Sequence, residues 1–334
     1  MKKLSIILCA LALTACGHFP TAKAPQQRMT LERAIERGKA DTVAQMLQAG
    51  VSPNARTAED EPLSPLWLAI HHGRGDMDIV QQLLEAGARV GEDEVRCAVE
   101  SGFPQYLRAV LNAGGKIPAA SEQEGSIYAE FRHHKQSGRD NVACALLLES
   151  HGAKLLETET TPLHYAVAAN DTALAAYFLS RGIRPNARNE EGETPLTYGV
   201  QSEAMVELLV QAGADTNLQD RDGNTALMNL LLPLEAAEAL LEAGANPNLC
   251  NKKGENALLY HLCHPQQNGG NYMDENGDII GTWSVDKIND DMVQLLIRAG
   301  ADVNRANNAG ITPLRAAAGN EDIVEMLRAA GAKR

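Results

Sequence analysis

His261, Cys263 and His264 stand within four positions of one another and form the only dense group of metal-capable side chains in the chain. A structural zinc takes four nitrogen or sulfur ligands from spaced segments, and Cys250 is the one distant candidate to complete such a set. Histidines and cysteines carried on one helix are otherwise packed or exposed side chains without a ligand. Asp274, Asn276 and Asp278 have the alternation that begins a calcium-binding loop, but Ile279 replaces the glycine and Val285 the closing glutamate. His71-His72 and His133-His134 have no partnered nucleophile or acid, and no GxSxG, HExxH or phosphate-cradling glycine loop occurs. Catalysis therefore has no support in the sequence, and neither an enzymatic activity nor a cofactor is expected.

The elements that would have to position such groups are set by one recurring stretch, Thr161 to Asn186. Thr161 can cap a helix, Pro162 suits its first turn, and Leu163, Ala166 and Val167 fall on one face. Asn170-Asp171 interrupts that helix, a second helix carries Leu174, Ala175, Phe178 and Leu179 inward, and Gly182 can adopt the left-handed conformation that stops it. Neither helix can bury its apolar face alone, so the hairpin requires stacked copies. They are present. Thr194-Pro195-Leu196 and Thr312-Pro313-Leu314 repeat the opening, with Thr225-Ala226-Leu227 and Asn256-Ala257-Leu258 as weaker versions. Gly182, Gly213 and Gly244 follow one another at 31 residues, and Asn186, Asn217 and Asn248 keep the same step.

These residues resemble the ankyrin repeat, whose Thr-Pro-Leu-His opening, Leu-Leu-x-x-Gly-Ala helix end and trailing asparagine all recur in register. The resemblance runs from about Met29 to Lys333 and implies an all-α repeat solenoid of about nine stacked helix-turn-helix units joined by β-hairpin-like loops. Three units lack the pair that usually separates the helices, so a tighter inter-helix turn is expected there. The unit Pro118 to Leu156 is degenerate, marked by Val142, Leu146, Leu147 and Gly152-Ala153. In this family the hairpin tips and the face of the first helices carry protein recognition. The matching tip residues are Arg188, Glu190, Glu191 and Glu193, then Gln219, Arg221, Asp222 and Asn224, then Lys252, Lys253 and Glu255. On the first helices Ala168, Ala169, Gln201, Ser202, Leu232 and Pro233 correspond. The resemblance gives His164 a structural hydrogen-bonding role.

Met1-Lys2-Lys3 precedes an apolar run, Leu4 to Leu13, too short to span a bilayer, which reads as a secretory signal over residues 1–15. Leu13-Thr14-Ala15-Cys16 resembles the bacterial lipobox, which implies acylation of Cys16 after cleavage, and Gly17 resembles the sorting position of Gram-negative outer-membrane lipoproteins. Residues 16–28 then form the lipidated cysteine and a tether, and 29–334 the repeat domain. The eighth unit has an insert at 265–287: 56 residues separate Asn256 from Thr312, against the family's 33 or so. Asn276-Gly277 between β-formers predicts a projecting β-hairpin. Its Tyr272 and Trp283 either meet a partner or pair across the strands.

Charge adds a sign. The chain carries 30 Lys and Arg against 43 Asp and Glu, a formal −13, and −15 once Lys2 and Lys3 leave with the signal. Nucleic acid is a poor partner for such a surface, and a basic protein is favoured over it. Cys97 and Cys144 lie at apolar helical positions as small core residues, while Cys250 and Cys263 are held apart by their helix and no disulfide is predicted. The expected function is a lipid-anchored, periplasm-facing binding scaffold, in a narrower form an inhibitor or immunity protein. The alternative is a metal-binding or enzymatic envelope protein using the His261–His264 region and the insert.

Overall fold

The computed structural model describes residues 29–55, 63–73, 76–119, 126–132, 139–155, 161–264, 271–273, 279–282 and 290–333. Nine hairpin units follow in order: α1 (Leu31–Glu36) with α2 (Ala40–Gln48), α3 (Pro65–His72) with α4 (Asp78–Glu85), and α5 (Glu92–Ser101) with α6 (Pro104–Asn112). A 3-10 stretch (Ile127–Arg132) pairs with α7 (Asn141–Ser150), α8 (Pro162–Ala168) with α9 (Thr172–Ser180), and α10 (Pro195–Gly199) with α11 (Glu203–Gln211). A 3-10 turn (Ala226–Met228) pairs with α12 (Leu234–Glu242), α13 (Ala257–Cys263) with α14 (Asp290–Arg298), and α15 (Pro313–Ala316) with α16 (Glu321–Ala329). First helices pack on first helices and second helices on second helices of adjacent units, so the molecule is an all-α repeat solenoid.

The core is a repeating triad counted back from the glycine that ends each second helix. Positions eight, seven and four before it are Ile79, Val80 and Leu83, then Leu174, Ala175 and Phe178, then Met205, Val206 and Leu209, all buried. In α7 the same count from Gly152 buries Cys144, Ala145 and Leu148. The apolar residues that mark this unit in the sequence fall outside that triad: Leu146 is 53% exposed, and Val142 and Leu147 are only partly buried. Both Leu146 and Leu147 are apolar, and only distance from the helix stop separates the buried face from the outer one.

Asparagine is the register device. Asn217 Nδ2 donates to the carbonyl of Gly244 in the next unit (3.1 Å), and its Oδ1 accepts from the Asn246 N–H (2.7 Å). Asn54, Asn186, Asn248 and Asn304 make the same pair of bonds to Gly87 and Arg89, Gly213 and Asp215, Gly300 and Asp302, and Gly331 and Lys333. One amide thus satisfies an orphan helix-end carbonyl and a neighbouring N–H together.

Because this bridge locks second helices in step, the short units give up residues elsewhere. The expected shortening of the turn is not where the loss falls. α8 and α9 are joined by three residues, with Asn170 at φ +50°, but α10 has only 5 residues and Ala226–Met228 only 3. The missing length comes out of the first helix.

In the insert, Asn271–Met273 pairs antiparallel with Ile279–Thr282, with Tyr272 opposite Gly281 and an irregularity between Tyr272 and Met273. The turn residues Asp274 to Asp278, Trp283, the rest of the 265–287 insert, His133-His134 and everything before Met29, Cys16 included, lie outside the described residues.

Asn217→Ala removes both bridging bonds and leaves the Gly244 carbonyl without its amide partner. It should lower unfolding free energy by about 1–3 kcal/mol in chemical denaturation. Equal stability of this variant and the parent would show that stacking alone sets the register.

Candidate functional site

Each tip is a four-residue loop closed by an Asn or Asp. Asn189, Asp220, Asn251 and Asn307 accept through side-chain Oδ1 the N–H four residues on, that of Glu193, Asn224, Glu255 and Ile311 (2.8–3.0 Å). Neighbouring tips are sewn backbone to backbone: Arg221 N–H donates to Glu191 O, Lys252 N–H to Asp222 O and Asn308 N–H to Lys253 O (2.8–2.9 Å). The close approach requires glycine. Gly223 has φ +82°, and a Cβ there would lie 3.0 Å from Asn251 Cα. Gly310, on the last tip, has φ +73° and open space around it.

The expected contact residues divide on this scaffold into those that hold tips together and those presented to solvent. Glu255 is buried at 3% exposure, accepting from Asn251 Nδ2 (3.0 Å) and facing His264 Nε2 (3.4 Å). Asn224 is bonded to Asp220 and Asn251, Glu193 accepts from Asn189 Nδ2, and Gln219 Nε2 donates to the carbonyls of Gly223 and Cys250. Arg188, exposed along its stem, donates to the carbonyls of Gly192 and Gln219 (2.6 Å each). Ser202 caps α11 and donates to Asn170 Oδ1, and Gln201, exposed, reaches the Ala168 carbonyl. Among the expected contact residues, Glu193, Gln219, Asn224 and Glu255 have their polar groups engaged within the tips. The signal was available: polar residues four apart, Asn189/Glu193, Asp220/Asn224 and Asn251/Glu255, mark self-closing loops.

What remains exposed is Glu190-Glu191 on one tip, Arg221-Asp222 on the next and Lys252-Lys253 on the third. The sign of the row runs from two negative charges through a balanced pair to two positive ones. Leu232, expected on the first-helix recognition face, is instead buried at 4%, and it is Leu231 that is 66% exposed, where the first helix is reduced to one turn. The collapsed helix decides which leucine of the Leu230-Leu231-Leu232 run faces solvent. For Tyr272 only the backbone is described.

The histidines hold the stack. His164 is buried, takes the Thr161 N–H on Nδ1 (3.2 Å), and lies with Nε2 3.1 Å from the Glu193 carbonyl of the next unit, which assigns the proton to Nε2. Thr161 Oγ1 meets His164 Nδ1 (2.9 Å) rather than capping the helix directly. His261 is buried with Nε2 2.9 Å from the Leu227 carbonyl, so the nitrogen a metal would use points at a backbone acceptor. Among the described residues no three His, Cys, Asp or Glu side chains converge to hold a metal ion. Burial raises the Cys97 thiol well above its ordinary range and Cys144 to about 12, and it also raises Cys250 and Cys263. All four are free thiols kept protonated, the opposite of an activated nucleophile.

Stacked hairpins with polar tips, and an exposed row of charges along them, define a helical-repeat protein. The family model described as Ankyrin repeats (3 copies) matches residues 134–220, and that for Ankyrin repeat matches 63–93. The chain thus carries ankyrin repeats, which generally serve as non-enzymatic scaffolds for protein partners. It is 26% identical over 207 residues to human mitochondrial disaggregase, which is 59% of this chain and 28% of that protein's length. The human ASB11 ankyrin repeat domain superposes at TM-score 0.53 with 22% identity, covering 66% of this chain and 100% of that one. An ankyrin repeat domain from Acinetobacter baumannii covers 72% of this chain and 98% of its own at 24% identity and TM-score 0.43.

Desolvation lowers the pKa of both His164 and His261 below the ordinary 6.5. The unfolded chain therefore takes up protons first as pH falls, and the stability these neutral rings contribute above about 6.5 is lost below it. Melting temperature should drop on going from about pH 7.5 to about pH 5, and His164→Thr, the residue used at Thr197, should flatten that slope. An unchanged slope in the variant would remove His164 as a contributor.

Proposed function

We propose that the protein is a non-catalytic scaffold that holds a protein partner against its row of hairpin tips and the adjoining first-helix face. The observation that carries this is the exposed row Glu190-Glu191, Arg221-Asp222, Lys252-Lys253, on tips whose other polar groups are spent on mutual support, together with the exposed Leu231 after the short first helix that follows the Arg221-Asp222 tip. A rigid row presents its charges with little ordering cost, and an exposed leucine offers the apolar anchor that interface centres use. The partner that fits has a basic patch opposite Glu190-Glu191 and an acidic one opposite Lys252-Lys253, which sharpens the expectation of a basic partner. An acidic chain of net −13 disfavours nucleic acid in that place.

The scaffold is tethered, in this reading, through an acylated Cys16 to the outer membrane of a Gram-negative envelope and faces the periplasm. Supporting it are the basic start, the short apolar run and the lipobox-like Leu13-Thr14-Ala15-Cys16. A single acyl chain binds membranes with an association constant of only about 10⁴ M⁻¹, so stable anchoring needs the several chains that such a cysteine receives. In its narrower form the scaffold is an inhibitor or immunity protein that covers an envelope enzyme.

Two measurements test the reading. Cys16→Ala should abolish incorporation of labelled fatty acid and release the protein from the membrane fraction. Labelling that persists would end the anchoring proposal. For the partner surface, Glu190→Lys, Glu191→Lys and Asp222→Lys together should weaken a partner recovered from envelope extracts by about tenfold or more with an unchanged circular dichroism spectrum. Full affinity in that variant would move the contact off the tips.

A further inference from the structure

The asparagine bridge is missing from three consecutive interfaces. Four residues after Gly87, Gly114 and Gly152 stand Gly91, Pro118 and Leu156, none of which carries a side-chain amide. Between the third and fourth units the consequence is an open groove of about 490 Å³. Its walls are the two segments that follow the helix-stopping glycines, Gly115 to Ala119 and His151 to Lys154. Leu111 and Ile127, both buried, and the partly buried Ile117 supply its apolar floor, and the exposed Lys116 and Lys154 stand on the rim.

The groove also has polar chemistry of its own. Wherever the bridge exists, the glycine carbonyl accepts and the N–H two residues on donates, at 2.6–3.2 Å, to one amide. Here the equivalent groups are Gly152 O and Lys154 N–H, and among the described residues neither has a hydrogen bond. An acceptor and a donor flanking one residue, Ala153, are what a parallel β-bridge offers: an extended strand satisfies both with the N–H and C=O of a single residue. The bridging asparagine imitates such a residue, so its absence leaves a place for a real one.

We propose that this groove binds an extended, acidic peptide segment, with one backbone residue on Gly152 O and Lys154 N–H, an apolar side chain on Leu111, Ile117 and Ile127, and flanking carboxylates on Lys116 and Lys154. The mode is strand addition with a side-chain pocket. Net charge does not veto an acidic ligand: among the described residues lining the groove Lys116 and Lys154 are the only Lys, Arg, Asp or Glu, and at about 0.1 M salt the screening length is about 10 Å, which favours these two over charges farther off. The site is separate from the tips and needs the opposite charge at its centre, so it serves a second partner segment.

The probe is a blocked pentapeptide of leucine between two pairs of glutamates, with lysines replacing the glutamates as control, titrated into 15N-labelled protein lacking residues 1–28. Shifts confined to amides of Lys116, Ile117 and Gly152 to Lys154, absent with the lysine peptide, are expected. Lys116→Glu with Lys154→Glu should weaken binding by about tenfold or more, and Glu190→Lys, Glu191→Lys and Asp222→Lys should leave it unchanged. Pro118→Asn restores the amide, and should close the groove, abolish the shifts and raise the melting temperature. Absence of shifts, equal shifts with the lysine peptide, or full binding after lysine reversal overturns the proposal, whatever the tips are found to bind.

Discussion

One side-chain amide per unit, bonded twice to the backbone of the next unit, is the constraint on which the regular half of the array depends. Asn186, Asn217, Asn248 and Asn304 each reach a glycine carbonyl left orphaned by a helix end and an N–H two residues further on. Apolar stacking of Leu209 against its neighbours would tolerate a slide; two directional bonds to fixed backbone atoms do not. Once units are in step, tips meet at 2.8–2.9 Å, glycines become obligatory at Gly192, Gly223 and Gly254, and length variation is pushed into the first helices.

The unbridged units are held differently. Tyr128 packs edge-on to Phe178 (5.7 Å between ring centres), with Phe131 beside both, and side-chain pairs cross the interfaces: Ser64 to Glu94 (2.6 Å), Arg96 to Glu130 (2.9 Å) and Asn141 to Asp171 (2.9 Å). Large rings bury much area without demanding one register. Spacing there is 27, 38 and 30 residues between Gly87, Gly114, Gly152 and Gly182, whereas the bridged steps are 31 from Gly182 to Gly213 to Gly244 and from Gly300 to Gly331, 37 from Gly50 to Gly87 and 56 across the insert, so the bridge keeps its geometry whatever length of chain is looped out between units. The groove of the third and fourth units lies where the bridge is missing, and the row of sewn tips lies where it is present.

Chemically the molecule is quiet where the sequence looked most reactive. His164 and His261 are turned onto carbonyls of adjacent units, and the buried thiols are held protonated. These residues of reactive type have become parts of the stacking, and the groups left in solvent on the regular tips are charges.

Repeat identity, helix ends and most buried positions were determined by the sequence alone, because Thr-Pro-Leu openings, Leu-Leu-x-x-Gly ends and trailing asparagines are local chemistry repeated at a fixed step. Even Cys144, Ala145 and Leu148 can be read by counting back from Gly152. The burial of the tip residues was decided by the tertiary structure even where their local pairing was legible. Glu190 and Glu255 have the same side chain and both belong to tips, yet one is in solvent and the other is 3% exposed, since its carboxylate is met by Asn251 four residues back, by His264 beyond the following helix and by Asn307 of a later tip, and sequence spacing announces only the first. The same holds for Leu231 and Leu232, for the Gly152 and Lys154 backbone groups, and for the groove beside them: each depends on what a neighbouring unit supplies or fails to supply, and that is a property of the stack.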